Sequence, residues 1–285
     1  MRKRLVWIIL LVALAATMPL RAQGDQGCAL DLTQSYLSAL SWAKPEGIDG
    51  LTYARLAGEL YNGFIAAGAY CYSLSASVIR TGINQIEPLP EPDALIRTYQ
   101  RLDESMRYSF SKCPLDITEA YLEAVDWSGL TLDAVADAVL SALQAAEQLV
   151  EKDVVLCVDE PRLAFTYSVI SSARSLAPDA GLIPALMEAA GTLTAYSTAD
   201  CASRVMTTFV READWTGISA EQFSQTAVQV YAYLAEVLPP STELYYCSGG
   251  PLVTLLTDTL ENAATVPPDA AFVRQITAAL RSSGS

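Results

Sequence analysis

The chain of 285 residues contains no histidine. That absence removes the imidazole half of Ser-His and Cys-His nucleophile pairs, HExxH zinc sites and histidine proton shuttles. No GxxxxGK[ST] or GxGxxG phosphate cradle occurs, and no EF-hand loop. Six cysteines, each more than forty residues from the next, do not make a zinc cluster. No cofactor and no metal are expected. Asn62, Asn84 and Asn262 all lack a hydroxyl residue two places on, so there is no N-glycosylation sequon, which suits a bacterial exported protein. Ser109-Phe110-Ser111-Lys112 matches the short S-x-x-K of penicillin-binding enzymes, but the companion S-D-N and K-T-G motifs are missing.

Basic residues are also scarce, 18 against 32 acidic ones. Four of the 18 lie at the start: Arg2, Lys3, Arg4 and Arg21. Between them Leu5 to Leu20 is uncharged and mostly apolar, and Leu20-Arg21-Ala22 offers a small residue for cleavage. This order reads as a secretory signal peptide over 1–22. The run is shorter than the roughly 20 residues that span a bilayer; an uncleaved anchor is the alternative, and a lipoprotein reading at Cys28 is opposed by Asp25. The expected location is secreted or periplasmic, with no membrane insertion after cleavage. The mature chain then carries 14 basic and 32 acidic residues, a net charge of −18. Such a chain repels phosphate backbones, so nucleic acid and anionic membranes are poor partners.

What is present is an internal repeat. The cysteines follow one another at 43, 42, 44, 44 and 46 residues, the near-constant spacing of a solenoid or array. Cys28, Cys113 and Cys201 are each followed by an aromatic eight residues on (Tyr36, Tyr121, Phe209) and a tryptophan fourteen on (Trp42, Trp127, Trp215). Cys71, Cys157 and Cys247 are each followed 21 residues on by Pro-Asp-Ala, at Pro92, Pro178 and Pro268. Two alternating half-repeats give three tandem units of about 86 residues, 28–112, 113–200 and 201–285.

Each half reads as a helical hairpin. Ile117, Tyr121 and Val125 recur in steps of four and fall on one helix face. A shared turn follows the tryptophan: Gly47-Ile48-Asp49, Gly129-Leu130-Thr131, Gly217-Ile218-Ser219. Glycine is expected to end the first helix. Asp49, Thr131 and Ser219 are expected to cap the next one, Ser219 in a capping box with Gln222. Asp93, Asp179 and Asp269 are placed to cap helices in the second halves. The fold expected is all-α: an α-solenoid of about six helical hairpins, closer in unit length to HEAT and armadillo repeats than to the 34-residue tetratricopeptide.

Hairpin geometry and parity pair Cys28 with Cys71, Cys113 with Cys157 and Cys201 with Cys247. The rival pairing, Cys71–Cys113 and Cys157–Cys201, strands the outer two. The tryptophans read as packing plugs, since a ligand platform is more often single than repeated. Tyr70 and Tyr72 flank one cysteine and Tyr245 and Tyr246 precede another; they read either as an aromatic edge for binding or as cover for the disulfides.

The function expected is non-enzymatic: a surface or groove presented to a protein or peptide partner, as stacked hairpins allow. The alternative is a secreted α/α-toroid hydrolase of glycosidase type, needing two carboxylates across a cleft. Asp103, Glu104, Asp258 and Glu261 are candidates, and spacing selects none of them.

Overall fold

The computed structural model describes residues 25–43, 48–106, 112–150, 154–193, 201–238 and 250–283. The expected signal peptide, Ser109 to Ser111, Tyr245, Tyr246, Cys247 and the Trp42 side chain lie outside the described residues. Among the described residues there are twelve α-helices and no strands, so the chain is all-α. None of these helices is long and apolar enough to cross a membrane. The described chain divides into two compact units, one of residues up to Asn84 with Pro88–Arg101, the other of Gln85–Glu87 with everything from Leu102 onward.

The first unit holds α1 (Gln26–Ala43), α2 (Gly50–Ala67), α3 (Leu74–Gln85) and most of α4 (Pro92–Met106). Asp49 caps α2 as expected: its carboxylate accepts the Leu51 and Thr52 N–H groups at 3.1 and 3.0 Å. Gly68 ends α2 in the left-handed conformation, φ 72°, and its N–H and that of Ala69 return to Ile65 and Phe64 carbonyls. Leu32, Tyr36, Leu60, Phe64, Val78, Ile79, Leu95 and Tyr99 fill the core. Phe64 and Tyr99 meet edge to face at 6.3 Å. Where α2 faces α4 the approach is close enough that a Cβ at Gly63 would collide with the Ile96 side chain.

The second unit holds α5 (Lys112–Ala124), α6 (Leu132–Leu149), a 3-10 turn at Cys157–Asp159, α7 (Pro161–Ser172), α8 (Leu182–Ala190), α9 (Cys201–Glu212), α10 (Ala220–Val237), α11 (Pro251–Asn262) and α12 (Ala270–Ser283). Consecutive helices pack in pairs: α5 with α6, α7 with α8, α9 with α10, α11 with α12. Alternate helices also pack in two rows. One row runs α5, α7, α9, α11 and the other α6, α8, α10, α12. Each helix is thus apolar on the sides that meet its partner and its row neighbours. Ile117, Tyr121 and Val125 are all buried, as their spacing predicts.

The caps follow the sequence closely, the helix ends less so. The Thr131 hydroxyl accepts the Ala134 N–H, and Ser219 and Gln222 form the reciprocal capping box. Gly129 and Gly217, expected to end helices, do not. The helices stop earlier, α5 at Ala124 and α9 at Glu212. The glycines sit third in four-residue turns closed by Leu130 N–H to Trp127 O (3.2 Å) and Ile218 N–H to Trp215 O (3.0 Å). Their φ values of 77° and 76° are what the third position of a type II turn needs. The reason the helices stop early is the tryptophan: each indole turns back to donate to a helix carbonyl, Leu122 O or Val210 O, at 2.7 Å. Asp93 is a second correction. Pro92 opens α4 and leaves Asp93 inside its first turn, where the charge complements the helix dipole. Asp179 stops one residue short of capping: its carboxylate accepts Gly181 N–H at 2.9 Å, and Gly181 takes the cap position. Asp269 does accept from the α12 backbone, at Ala271 N–H, 2.8 Å.

Candidate functional site

The cysteines are brought together across hairpin ends. Cys28, at the start of α1, is bonded to Cys71, in the loop between α2 and α3; Cys113, at the start of α5, is bonded to Cys157. In both pairs the Cα atoms are 4.9 Å apart, inside the range a disulfide needs. Cys201 is also disulfide-bonded, and Cys247 lies outside the described residues. Bonds of this kind suit an oxidising compartment.

The Cys28–Cys71 bond has a polar companion. Arg80, nine residues past Cys71, donates to the Asp31 carboxylate at 2.9 and 3.2 Å and to the Cys71 carbonyl at 3.1 Å. One guanidinium therefore ties α1, α3 and the cysteine loop together. Tyr70 N–H donates to the Tyr99 hydroxyl at 2.9 Å, and Ser73 donates from its hydroxyl to Tyr70 O at 2.7 Å. The loop carrying Tyr70 and Tyr72 is held from both sides, covalently and by hydrogen bonds.

On that fixed loop the two tyrosines face solvent. Tyr70 is 54 % exposed and Tyr72 87 %, their rings edge to face at 5.7 Å. The same positions around Cys157 are Leu156 and Val158, 42 % and 71 % exposed, with Val155 exposed as well. Cys71 and Cys157, the second half-cystine of each pair, are thus flanked by large side chains left in water. The sequence pointed to Tyr70 and Tyr72 but missed Val155, Leu156 and Val158. The signal available was the position relative to cysteine, whatever the residue type.

Two of the repeated tryptophans, Trp127 and Trp215, are closed off from any ligand. Trp127 and Trp215 are fully buried. Trp127 lies edge to face on Tyr121, and Trp215 on Phe209, both at 5.7 Å; Phe223 adds a second ring to Trp215 at 4.5 Å. The segment just before each is tied to the next hairpin. Asp126 N–H donates to Leu176 O (2.9 Å) and Leu176 N–H to Ala124 O (3.0 Å), and Asp214 N–H donates to Val266 O (3.2 Å). No protein-family model, curated protein or solved structure matches the chain.

The carboxylates named for a toroid cleft are spread out. Glu261 accepts from Arg211 at 2.9 Å, and Arg211 also pairs with Glu212 at 2.6 Å. Asp258 is exposed on the same helix as Glu261, and Asp103 and Glu104 lie on α4. Glu160 is pushed up by burial, but hydrogen bonds from Arg162 and the Leu163 N–H outweigh that and hold it below the ordinary carboxylate value. Those bonds hold it as the cap of α7. Among the described residues no group of three or more Cys, Asp or Glu is arranged to hold a metal ion.

Proposed function

We propose that the chain is an exported interaction protein: an α-solenoid of about six disulfide-stapled hairpins in three tandem units that binds a protein or peptide partner without catalysis. The observation that carries this reading is the pair of exposed side chains beside Cys71 and beside Cys157, Tyr70 with Tyr72 and Leu156 with Val158. Large apolar side chains in water are a standing cost unless a partner covers them. Their backbone is fixed in advance, so little ordering entropy is lost on docking. Tyrosine suits this role because it offers a large contact area with only two rotatable bonds. The row-on-row packing of the second unit supports the solenoid part of the reading, and the basic and then apolar start supports export.

The test is site-specific crosslinking. A photo-crosslinking residue at position 72 of the full chain, exposed to the native secretome, is expected to trap one dominant protein. A crosslinker at exposed Ser171 on α7 serves as the control. The double variant Y70S/Y72S should abolish binding of that protein while leaving the melting temperature unchanged. Equal capture at both positions, or retained binding by the double variant, would sink the proposal. A screen of hydrolase substrates, glycans included, is expected to be blank.

A further inference from the structure

In the second unit three neighbouring helices of one row are acidic, while the fourth, α12, carries Arg274 and Arg281 and no carboxylate. The three helices α6, α8 and α10 contain no lysine or arginine at all. They carry six carboxylates, and all six are exposed: Asp133, Asp137 and Glu147 on α6, Glu188 on α8, Glu221 and Glu236 on α10. The other row is mixed. Arg162 on α7 is paired with Glu160, and Arg211 on α9 with Glu212 and Glu261.

Geometry makes the sorted charges one surface. The α6 helix packs on α8 and α8 on α10, so their outward stripes lie side by side. Packed axes are about 8–10 Å apart, roughly one Debye length at physiological salt, so the fields of neighbouring stripes add. At the end of the hairpin where α6 finishes, the chain carries the exposed Val155, Leu156 and Val158, pinned there by the Cys113–Cys157 bond. An acidic surface with an apolar anchor at one end has an obvious complement.

We infer that the face formed by α6, α8 and α10, together with the Val155–Val158 edge, docks a basic polypeptide segment that also carries aliphatic side chains. This rests on the reading of the chain as a binding protein and adds the chemistry of the partner. Charge complementarity gives the orientation and the rate of encounter, and the apolar edge slows release.

The experiment uses the full disulfide-bonded chain and three labelled synthetic peptides of equal length, composed of Lys and Leu, Glu and Leu, or Lys and Ser. Fluorescence anisotropy should show the Lys-Leu peptide binding, at least tenfold more weakly when salt is raised from 50 to 300 mM. Two triple variants of equal net charge separate the face from the overall charge. D137N/E188Q/E236Q removes one carboxylate from each helix of the face; E119Q/E123Q/D258N removes three exposed ones from the other row. The first should weaken binding at least tenfold and the second less than twofold. L156S/V158S should weaken the Lys-Leu peptide and leave the Lys-Ser peptide unchanged. Equal loss in the two charge variants, or binding of the Glu-Leu peptide, overturns the inference. Such an outcome leaves the crosslinking result at position 72 untouched, and failure of that crosslink leaves the peptide titration interpretable.

Discussion

Tyr121 is fully buried and its hydroxyl has no hydrogen-bond partner within the protein. Burial pushes its ionisation well above the ordinary phenol value, and the Asp179 carboxylate adds to the rise. The equivalent residue after Cys201 is Phe209, which meets its tryptophan at the same 5.7 Å without any hydroxyl. Replacing Tyr121 by Phe should therefore be neutral or stabilising by up to about 1–2 kcal/mol, the desolvation cost of an unpaired buried group. The pH dependence is set by the raised value. The folded protein keeps the Tyr121 proton to higher pH than the unfolded chain does. Its contribution is complete below the unfolded value of about 10 and is lost as pH rises beyond that. Urea midpoints at pH 8 and pH 10.5 should show a smaller alkaline loss for Y121F than for the parent. A Y121F protein that is clearly less stable at pH 8 would show that the hydroxyl is satisfied, and the explanation fails.

At the scale of the element, the turns after the tryptophans each depend on a glycine in the left-handed backbone conformation. Nothing lies within 4 Å of a Cβ built on Gly129 or Gly217, yet both have φ near +77°. Alanine at either position should cost about 1–2 kcal/mol through the left-handed backbone and nothing through crowding. The two variants should lose the same amount in urea denaturation; an unchanged midpoint would mean that the turn relaxes freely. These glycines also mark how far a sequence can be read. The paired helices of the second unit, the caps at Thr131 and Ser219 and the partners of Cys28 and Cys113 were legible, because each depends on residues close in sequence or on a repeating offset. The helix ends were not, because a left-handed glycine serves a helix cap and a type II turn equally well, and only the indole bond to Leu122 O or Val210 O decides between them. The exposure of Tyr70 and Tyr72 was equally hidden. Helical periodicity assigns a side chain to a face, and a loop residue has no period. The Arg80–Asp31 clamp joins residues 49 apart and left only a faint signal, opposite charges one or two turns from paired cysteines. The carboxylate rows needed the knowledge of which helices lie side by side.

For the whole molecule the absence of histidine becomes a statement about pH. No side chain of ordinary ionisation changes charge between about pH 5.5 and 8 without an imidazole or a free thiol, and no cysteine is free among the described residues. The shifted carboxylates act lower. Thr52 holds Asp49 below its ordinary value, and Ser128 and Thr216 do the same for Asp126 and Asp214. Groups lowered in this way stabilise above their unfolded values, near 4, and that contribution is lost as pH falls through their folded values. Stability should be flat from pH 5.5 to 8 and decline below about pH 4. Calorimetry across that range is the check; a step between pH 6 and 7 would contradict it.

The pairing of cysteines across hairpin ends has a mechanical side. A load applied to the two ends of the chain travels through the shortest covalent path, and at each bond that path leaps from one half-cystine to the other. The 42 residues between Cys28 and Cys71, and the 43 between Cys113 and Cys157, carry no tension. Each sheltered stretch is roughly 150 Å of potential extension at about 3.4 Å per residue. A chain stretched between two anchors therefore yields length only from the stretches outside the bonds, even after its helices have come apart, until a reductant cuts the bond and frees both hidden hairpins.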